Sequence, residues 1–163
     1  MRFLAEEEVH QIETGLEVIY NYLYWDKGLS SSGKPTLEQL EAIRDAGFEV
    51  LINLLPAKET PQEEENHVRD MGLEYLQIQV WWDSPEISDI TQFFEAMERS
   101  RGKRVFVHCA ANMRATAFLY LYHTLILKQG EEQSRAMMSR IWEPNPIWTL
   151  FIERIKDRFS KTK

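Results

Sequence analysis

Cysteine is nearly missing from this chain: there is one in 163 residues. That excludes an intrachain disulfide and any metal site built on clustered thiolates, and it suits a reducing compartment. The four histidines are scattered without ligand spacing, so neither a metal nor another cofactor is expected. Positive charge is also short, with 19 Lys+Arg against 26 Asp+Glu and a formal net charge of -7. Nucleic-acid binding wants a basic surface, so no nucleic-acid partner is expected. Long apolar runs are lacking too. The longest, residues 117–127, contains His123 and is too short to span a bilayer, so no membrane partner is expected. The opening MRFLAEEEVH places three glutamates where a signal peptide needs an apolar core. These absences together predict a cytoplasmic protein. There is no internal repeat, low-complexity tract or linker, and the length suits one well-buried core, so residues 1–163 are expected to form a single domain.

What is present alternates between strand and helix. Residues 17–25 (EVIYNYLYW) are rich in β-formers and predict one or two early strands. Residues 28–35 (GLSSSGKP) have the composition of a turn. Thr36 with Gln39 makes a capping box for a helix whose Leu37, Leu40 and Ile43 share a face and which Gly47 ends. Residues 48–55 (FEVLINLL) predict a central parallel strand. A charged stretch over 56–71 predicts a loop and an exposed helix stopped by Gly72, followed by a strand over 73–80. After the loop WWDSPE, Ser88 is expected to cap a helix with Ile90, Phe93, Phe94 and Met97 inward and Gly102 at its end. A strand at 105–107, a buried helix at 117–127 closed by Gly130, and helices at 131–142 and 146–159 complete the pattern, the last capped by Asn145 with Pro146 at its first turn. Such alternation implies an α/β fold, a central mostly parallel sheet of four to five strands flanked by helices.

Sites in such folds lie beyond the carboxyl ends of the strands. That rule puts Cys109, Asp83 and the segment 53–58 on the active edge. It puts Arg99, Arg101, Lys103 and Arg104 on the opposite edge, as a solvated turn. A lone cysteine is commonly an inert core thiol. Here, however, the run VFVHCAANMRATAF sets Cys109 where a buried strand ends, with His108 before it, small loop residues after it and Arg114 within one loop. The helix N-terminus that follows favours anions and stabilises a thiolate. The arrangement predicts an anion cradle with a nucleophile at its base.

The chain resembles the cysteine-dependent protein tyrosine and dual-specificity phosphatases, and within them the compact bacterial beta-lactamase-hydrolase-like phosphatase domains. The likeness is carried by SSGKPTLEQLEAIRDAGFEVLINL, by WWDSP and by VFVHCAANMRAT, and covers roughly residues 17–128. It implies a dual-specificity-phosphatase-like fold acting on a phosphorylated protein or small-molecule substrate. Carried over residue by residue, Cys109 is the nucleophile, Arg114 the oxyanion clamp and Asp83 the general acid. Ala110, Ala111, Asn112, Met113 and Arg114 form the phosphate-binding loop, with His108 and Thr116 supporting the thiolate by hydrogen bonding.

The spacing departs from that pattern. Four residues, not five, separate Cys109 from Arg114, while Thr116 keeps its usual offset and Ala115 stands where the arginine is expected. Either the loop is a residue shorter or the arginine is displaced, and one residue at a helix start swings a side chain by about 100°. The usual loop glycine is replaced by Asn112, which tolerates positive φ. Two other readings follow: a phosphoryl-binding module without turnover, and a rhodanese-like sulfurtransferase using a Cys109 persulfide. Glu86 and Asp89 compete with Asp83 for the acid role, Asp89 being explained equally well as a first-turn dipole partner. Trp81 and Trp82 are expected to anchor their loop, His123 to be a satisfied core histidine, Trp142 and Trp148 to pack between the last helices, and Tyr20, Tyr22 and Tyr24 to line one face of a strand.

Overall fold

Five four-residue strands, each halted by a turn or a helix start, make the sheet. In a computed structural model describing residues 15–160 they are β1 (Leu23–Asp26), β2 (Leu29–Ser32), β3 (Val50–Asn53), β4 (Glu74–Gln77) and β5 (Val105–His108). The opening ten residues, on which the leader argument rested, lie outside the described residues. The sheet order is β1-β2-β5-β3-β4. β1 pairs antiparallel with β2, and the other pairings are parallel, as expected for this α/β class. Ser32 and Asn53 both stand beside His108 in register, so β2, β5 and β3 end level with one another. Cys109 emerges from the middle of the three.

Among the described residues six helices cover the two faces: α1 (Leu37–Asp45), α2 (Glu64–Asp70), α3 (Ile87–Arg99), α4 (Met113–Leu121), α5 (Glu131–Ser139) and α6 (Pro146–Ser160). The strand period of two divides the core. Val50, Ile52, Val105 and Val107 face one cluster with Phe93, Phe118 and Trp148. Leu51 and Phe106 face the other with Leu40, Ile43 and Tyr75. Central strands buried on both faces are apolar except where a polar side chain finds a partner, which accounts for the runs Val50–Ile52 and Val105–Val107.

α1 forms as its sequence dictates. Gln39 N–H donates to Thr36 Oγ1 at 3.1 Å, Thr36 N–H donates back to Gln39 Oε1 at 3.0 Å, and Gly47 takes φ 97° past the end. Leu37, however, is exposed, leaving Leu40 and Ile43 as its buried face. All four predicted inward residues of α3 are buried. Its cap is Glu86 and not Ser88, since Asp89 Oδ2 accepts from the Glu86 amide at 2.9 Å.

Two early assignments are corrected. Residues 28–35 contain β2, a buried strand beside β5. Its serines are acceptable inside because each hydroxyl is paired: Ser30 with Tyr22 Oη at 2.9 Å, Ser31 with the Trp25 indole N–H at 2.9 Å, and Ser32 with the Gly33 carbonyl at 2.7 Å. Residues 17–25 hold a 3-10 turn (Leu16–Val18) before β1, so the three tyrosines share no strand face. Only Tyr24 lies in β1; Tyr20 is exposed and Tyr22 stacks on Phe106. The buried helix begins earlier than expected, at Met113, and after Leu121 continues as a π segment (Tyr122–Ile126). His123 Nδ1 lies 2.8 Å from the Leu119 carbonyl, a paired histidine as expected.

Candidate active site

The loop after β5 is drawn into a cradle by a left-handed residue and a strap. Asn112 adopts φ 66° and is fully buried. α4 starts at the next residue, and its first intrahelical bond runs from Thr116 N–H to the Asn112 carbonyl at 3.0 Å. The Asn112 side chain makes no cap hydrogen bond, so the amides of the first turn are not taken up by it. Across the loop lies the segment just before β1. Asn112 Nδ2 donates to the Asn21 carbonyl at 2.8 Å, and Asn21 Nδ2 donates to the Ala111 carbonyl at 3.1 Å. Asn21 is itself left-handed, with φ 51°. Lys34 N–H donates to the Ala110 carbonyl at 3.0 Å, and Gly33 N–H to the Tyr20 carbonyl at 2.7 Å. The approach at Gly33 leaves no room for a side chain, because a Cβ there would stand 2.6 Å from Tyr20 Cδ2 and 2.7 Å from the Ala110 oxygen. Three consecutive loop residues are thus held, Ala110 and Ala111 by their carbonyls and Asn112 by its side chain.

Cys109 opens the loop after β5, is 1% exposed and is counted in the larger core cluster with Val107 and Ala115. Its N–H donates to the Ser32 carbonyl at 3.3 Å, tying it to β2. His108 is buried with its ring spanning two partners, Cys109 O at 3.2 Å from Nδ1 and Glu64 Oε2 at 2.9 Å from Nε2. Glu64 Oε2 also accepts from Tyr75 Oη at 2.8 Å, and Tyr75 Oη accepts from Asn53 Nδ2 at 2.9 Å. Burial pushes the Glu64 carboxyl up, but the hydrogen bonds from His108 and Tyr75, with the His108 charge, outweigh it and hold it below the usual glutamate value. Burial, and then the Glu64 charge, push Tyr75 far above an ordinary phenol. His108 therefore reaches the cradle through the Cys109 backbone. Thr116 is committed elsewhere: its hydroxyl donates to the Met113 carbonyl at 3.0 Å and accepts from the Trp142 indole at 3.1 Å.

Arg114 occupies the first turn of α4 and is 4% exposed. Nη1 donates to the Val80 carbonyl at 2.7 Å, Nη2 lies 4.0 Å from Glu59 Oε1, and the guanidinium sits 5.6 Å from the Trp82 ring. It is turned inward, against the loop that carries Asp83. That loop is a turn closed by Ser84 N–H to the Trp81 carbonyl at 3.3 Å. Trp82 packs on Trp142 and Trp148 with centroids 5.4 and 6.0 Å apart, and its carbonyl accepts from the Trp148 indole at 2.7 Å. Trp82 thus anchors the loop while Asp83 projects as an exposed carboxylate. Of its rivals, Asp89 is buried as the partner of the Glu86 amide; burial raises its pKa against that hydrogen bond. Glu86 is the cap residue. Among the described residues no group of three or more His, Cys, Asp or Glu is placed to hold a metal ion, and no helix is long and apolar enough to cross a membrane.

Beside the cradle opens a cleft of about 580 Å³, lined by Lys34, Leu55, Lys58, Glu59, Thr60, Pro61 and Ala110. Sequence reasoning singled out neither Glu59 nor Asn21 nor Glu64. Asn21 and Asn112 are 91 residues apart, and Glu64 and His108 are 44 apart. No local pattern announces such pairs.

No protein-family model and no curated protein matches the chain, but solved structures do. A protein named "Putative phosphatase (DUF442)" from Shewanella putrefaciens CN-32 is 33% identical, with a TM-score of 0.80, over 91% of this chain and 98% of its own. The core catalytic domain of the PP-IP phosphatase SIW14 from S. cerevisiae, solved with citrate, is 18% identical with a TM-score of 0.70, over 88% of this chain and 93% of its own. PTPMT1, solved with PI(5)P, is 13% identical with a TM-score of 0.74, over 86% and 97%. The last two likenesses concern the fold.

Proposed function

The chain belongs to the DUF442 family and has the fold of the cysteine-dependent tyrosine and dual-specificity phosphatases, and from that premise we propose that it hydrolyses phosphomonoesters through a phosphocysteine formed on Cys109. The supporting observation is the cradle: a buried cysteine under a loop that is bent at Asn112, backed by a helix start, and flanked by an inward-turned Arg114. Of the two models for the spacing, we take the shorter loop, a reading that the helix start at Met113 supports.

In this reading the Cys109 thiolate attacks phosphorus and the ester P–O bond breaks, its electron pair leaving on the ester oxygen. Amides of Ala110, Ala111, Asn112 and Met113 and the Arg114 guanidinium hold the equatorial oxygens while charge redistributes. A planar fork suits that task better than an ammonium. Asp83 gives its proton to the leaving oxygen, then takes one from the water whose attack breaks the S–P bond and frees phosphate. His108, held by Glu64, steadies the Cys109 peptide from below, and Thr116 braces the first turn of α4 through the Met113 carbonyl. The substrate is a phosphorylated protein or small molecule, and we place the protein in the cytoplasm, where its single thiol stays reduced.

Turnover of an aryl phosphate, measured beside thiosulfate-to-cyanide sulfur transfer, tests the reading. Cys109→Ser is expected to abolish hydrolysis, Arg114→Ala to reduce it by at least about 10²-fold, and Asp83→Asn to slow poor leaving groups most. Undiminished hydrolysis by Cys109→Ser overturns the proposal. Sulfur transfer without hydrolysis would favour the rhodanese reading, and neither activity a binding module.

A further inference from the structure

We infer that the cleft beside the cradle is a second anion subsite, and that the ligand carries two phosphoryl groups on one small scaffold. This rests on the phosphatase reading for the first group only. The sheet order places β5 between β2 and β3, with all three ending level. The segments leaving β2 and β3 therefore flank the loop leaving β5, about 10 Å apart at two strand spacings. One flank carries Lys34, whose backbone is fixed to the loop by its amide bond to Ala110 O at 3.0 Å. The other carries Lys58, whose ammonium lies 4.9 Å from the Trp81 ring centroid on a turn held by the Ala57 amide to Gln79 Oε1 at 2.8 Å.

Both lysines line the cleft, and among the described residues neither has a carboxylate within ion-pair distance. In a chain of net charge -7, cations on both sides of one loop with no carboxylate in contact are a local reversal of sign, although the Lys34 charge also helps to hold the Glu64 carboxyl down. Glu59 is the cleft's one carboxylate, and its oxygen is 4.0 Å from Arg114 Nη2. Among the side chains lining the cleft, Lys34 and Lys58 against Glu59 leave one positive charge in excess. Thr60 cannot supply the recognition, because its hydroxyl donates to the Pro56 carbonyl and accepts from Asn53 Nδ2. A single phosphate seated over Cys109 would engage Arg114 and the loop amides and leave both lysines without an anionic partner. A second phosphate on the same small scaffold uses them, and lysine meets phosphate as a mobile point charge. At about 580 Å³ the cleft has room for such a scaffold.

Titration calorimetry on the full-length Cys109→Ser protein tests this without needing turnover. Probes are a vicinal inositol bisphosphate, the matching inositol monophosphate and an acidic phosphotyrosine peptide. Co-sedimentation with phosphatidylcholine vesicles, with and without a phosphatidylinositol bisphosphate, separates a free ligand from a lipid headgroup, and binding from either source supports the subsite. The bisphosphate is expected to bind at least about tenfold tighter than the monophosphate, and adding Lys34→Met with Lys58→Met to shrink that preference below about threefold. Equal affinities, a preference untouched by the double substitution, or tighter binding of the peptide than of the bisphosphate would each overturn the inference. Aryl phosphate turnover by the unsubstituted protein with no bisphosphate preference sinks the subsite alone. Bisphosphate preference without any turnover sinks the phosphatase reading alone.

Discussion

At the scale of a residue, Asn112 shows how a cradle can be bent without glycine. Its φ of 66° costs most L-residues roughly 1–2 kcal/mol, and asparagine less. The bond from its Nδ2 to the Asn21 carbonyl, 2.8 Å, adds what glycine could not. Its Oδ1 is buried without a hydrogen-bond partner, so the contribution lies with the nitrogen. Asn112→Gly keeps the bend and loses one bond, a loss of about 1 kcal/mol. Asn112→Ala loses the bond and strains the backbone, a loss of about 2–3 kcal/mol. Urea unfolding should rank the two variants in that order, with the KM for aryl phosphate rising in the same sequence. An alanine variant as stable as the glycine one would mean the loop does not need the left-handed turn. The bend itself was legible, because only a few residue types tolerate it. Its strap was not, since Asn21 resembles any loop asparagine until the chain closes.

At the scale of elements, α6 holds the loop that carries Asp83. Trp148 is wholly buried, and its indole N–H reaches 2.7 Å to the Trp82 carbonyl, one residue from Asp83. Trp148→Phe keeps an aromatic ring in the cluster of Trp82, Trp142 and Phe151 but leaves that carbonyl without its donor. A loss of about 1–3 kcal/mol in stability is expected from the unpaired group and the smaller ring. If Asp83 is the acid, the variant should also slow poor leaving groups more than good ones, mimicking Asp83→Asn in milder form. A uniform slowing across leaving groups would detach the anchor from acid catalysis. Elements were legible where local chemistry fixes them, as with the capping box of α1 and the apolar runs of β3 and β5. β2 was hidden because Leu29–Ser32 has turn composition, and only its position against β5, with Tyr22 and Trp25 meeting its hydroxyls, makes serine acceptable inside.

At the scale of the molecule, Glu64 joins parts that no single element connects. It belongs to α2, accepts from Tyr75 on β4 and meets His108 on β5, while Asn53 on β3 completes the chain of hydrogen bonds. The Glu64 carboxyl is held below its usual value in the fold, whereas the unfolded chain returns it to about 4.3. Its contribution is therefore fully present above that unfolded value and is lost as pH falls through the lower folded one. Asp89 runs the other way: burial raises its pKa, so its contribution is fullest in acid and is lost as pH rises through the raised value. Glu64→Gln should be less stable than the unsubstituted protein at neutral pH, because a neutral amide is a weaker acceptor for two buried donors. The gap between the two proteins should narrow as pH drops below about 4, since the carboxylate being compared is then itself protonated. Urea unfolding of both proteins across that range checks the claim, and Asp89, common to both, cancels from the difference. A gap that stays constant into acid would show that Glu64 is already protonated in the folded protein, and that the support beneath His108 carries no charge.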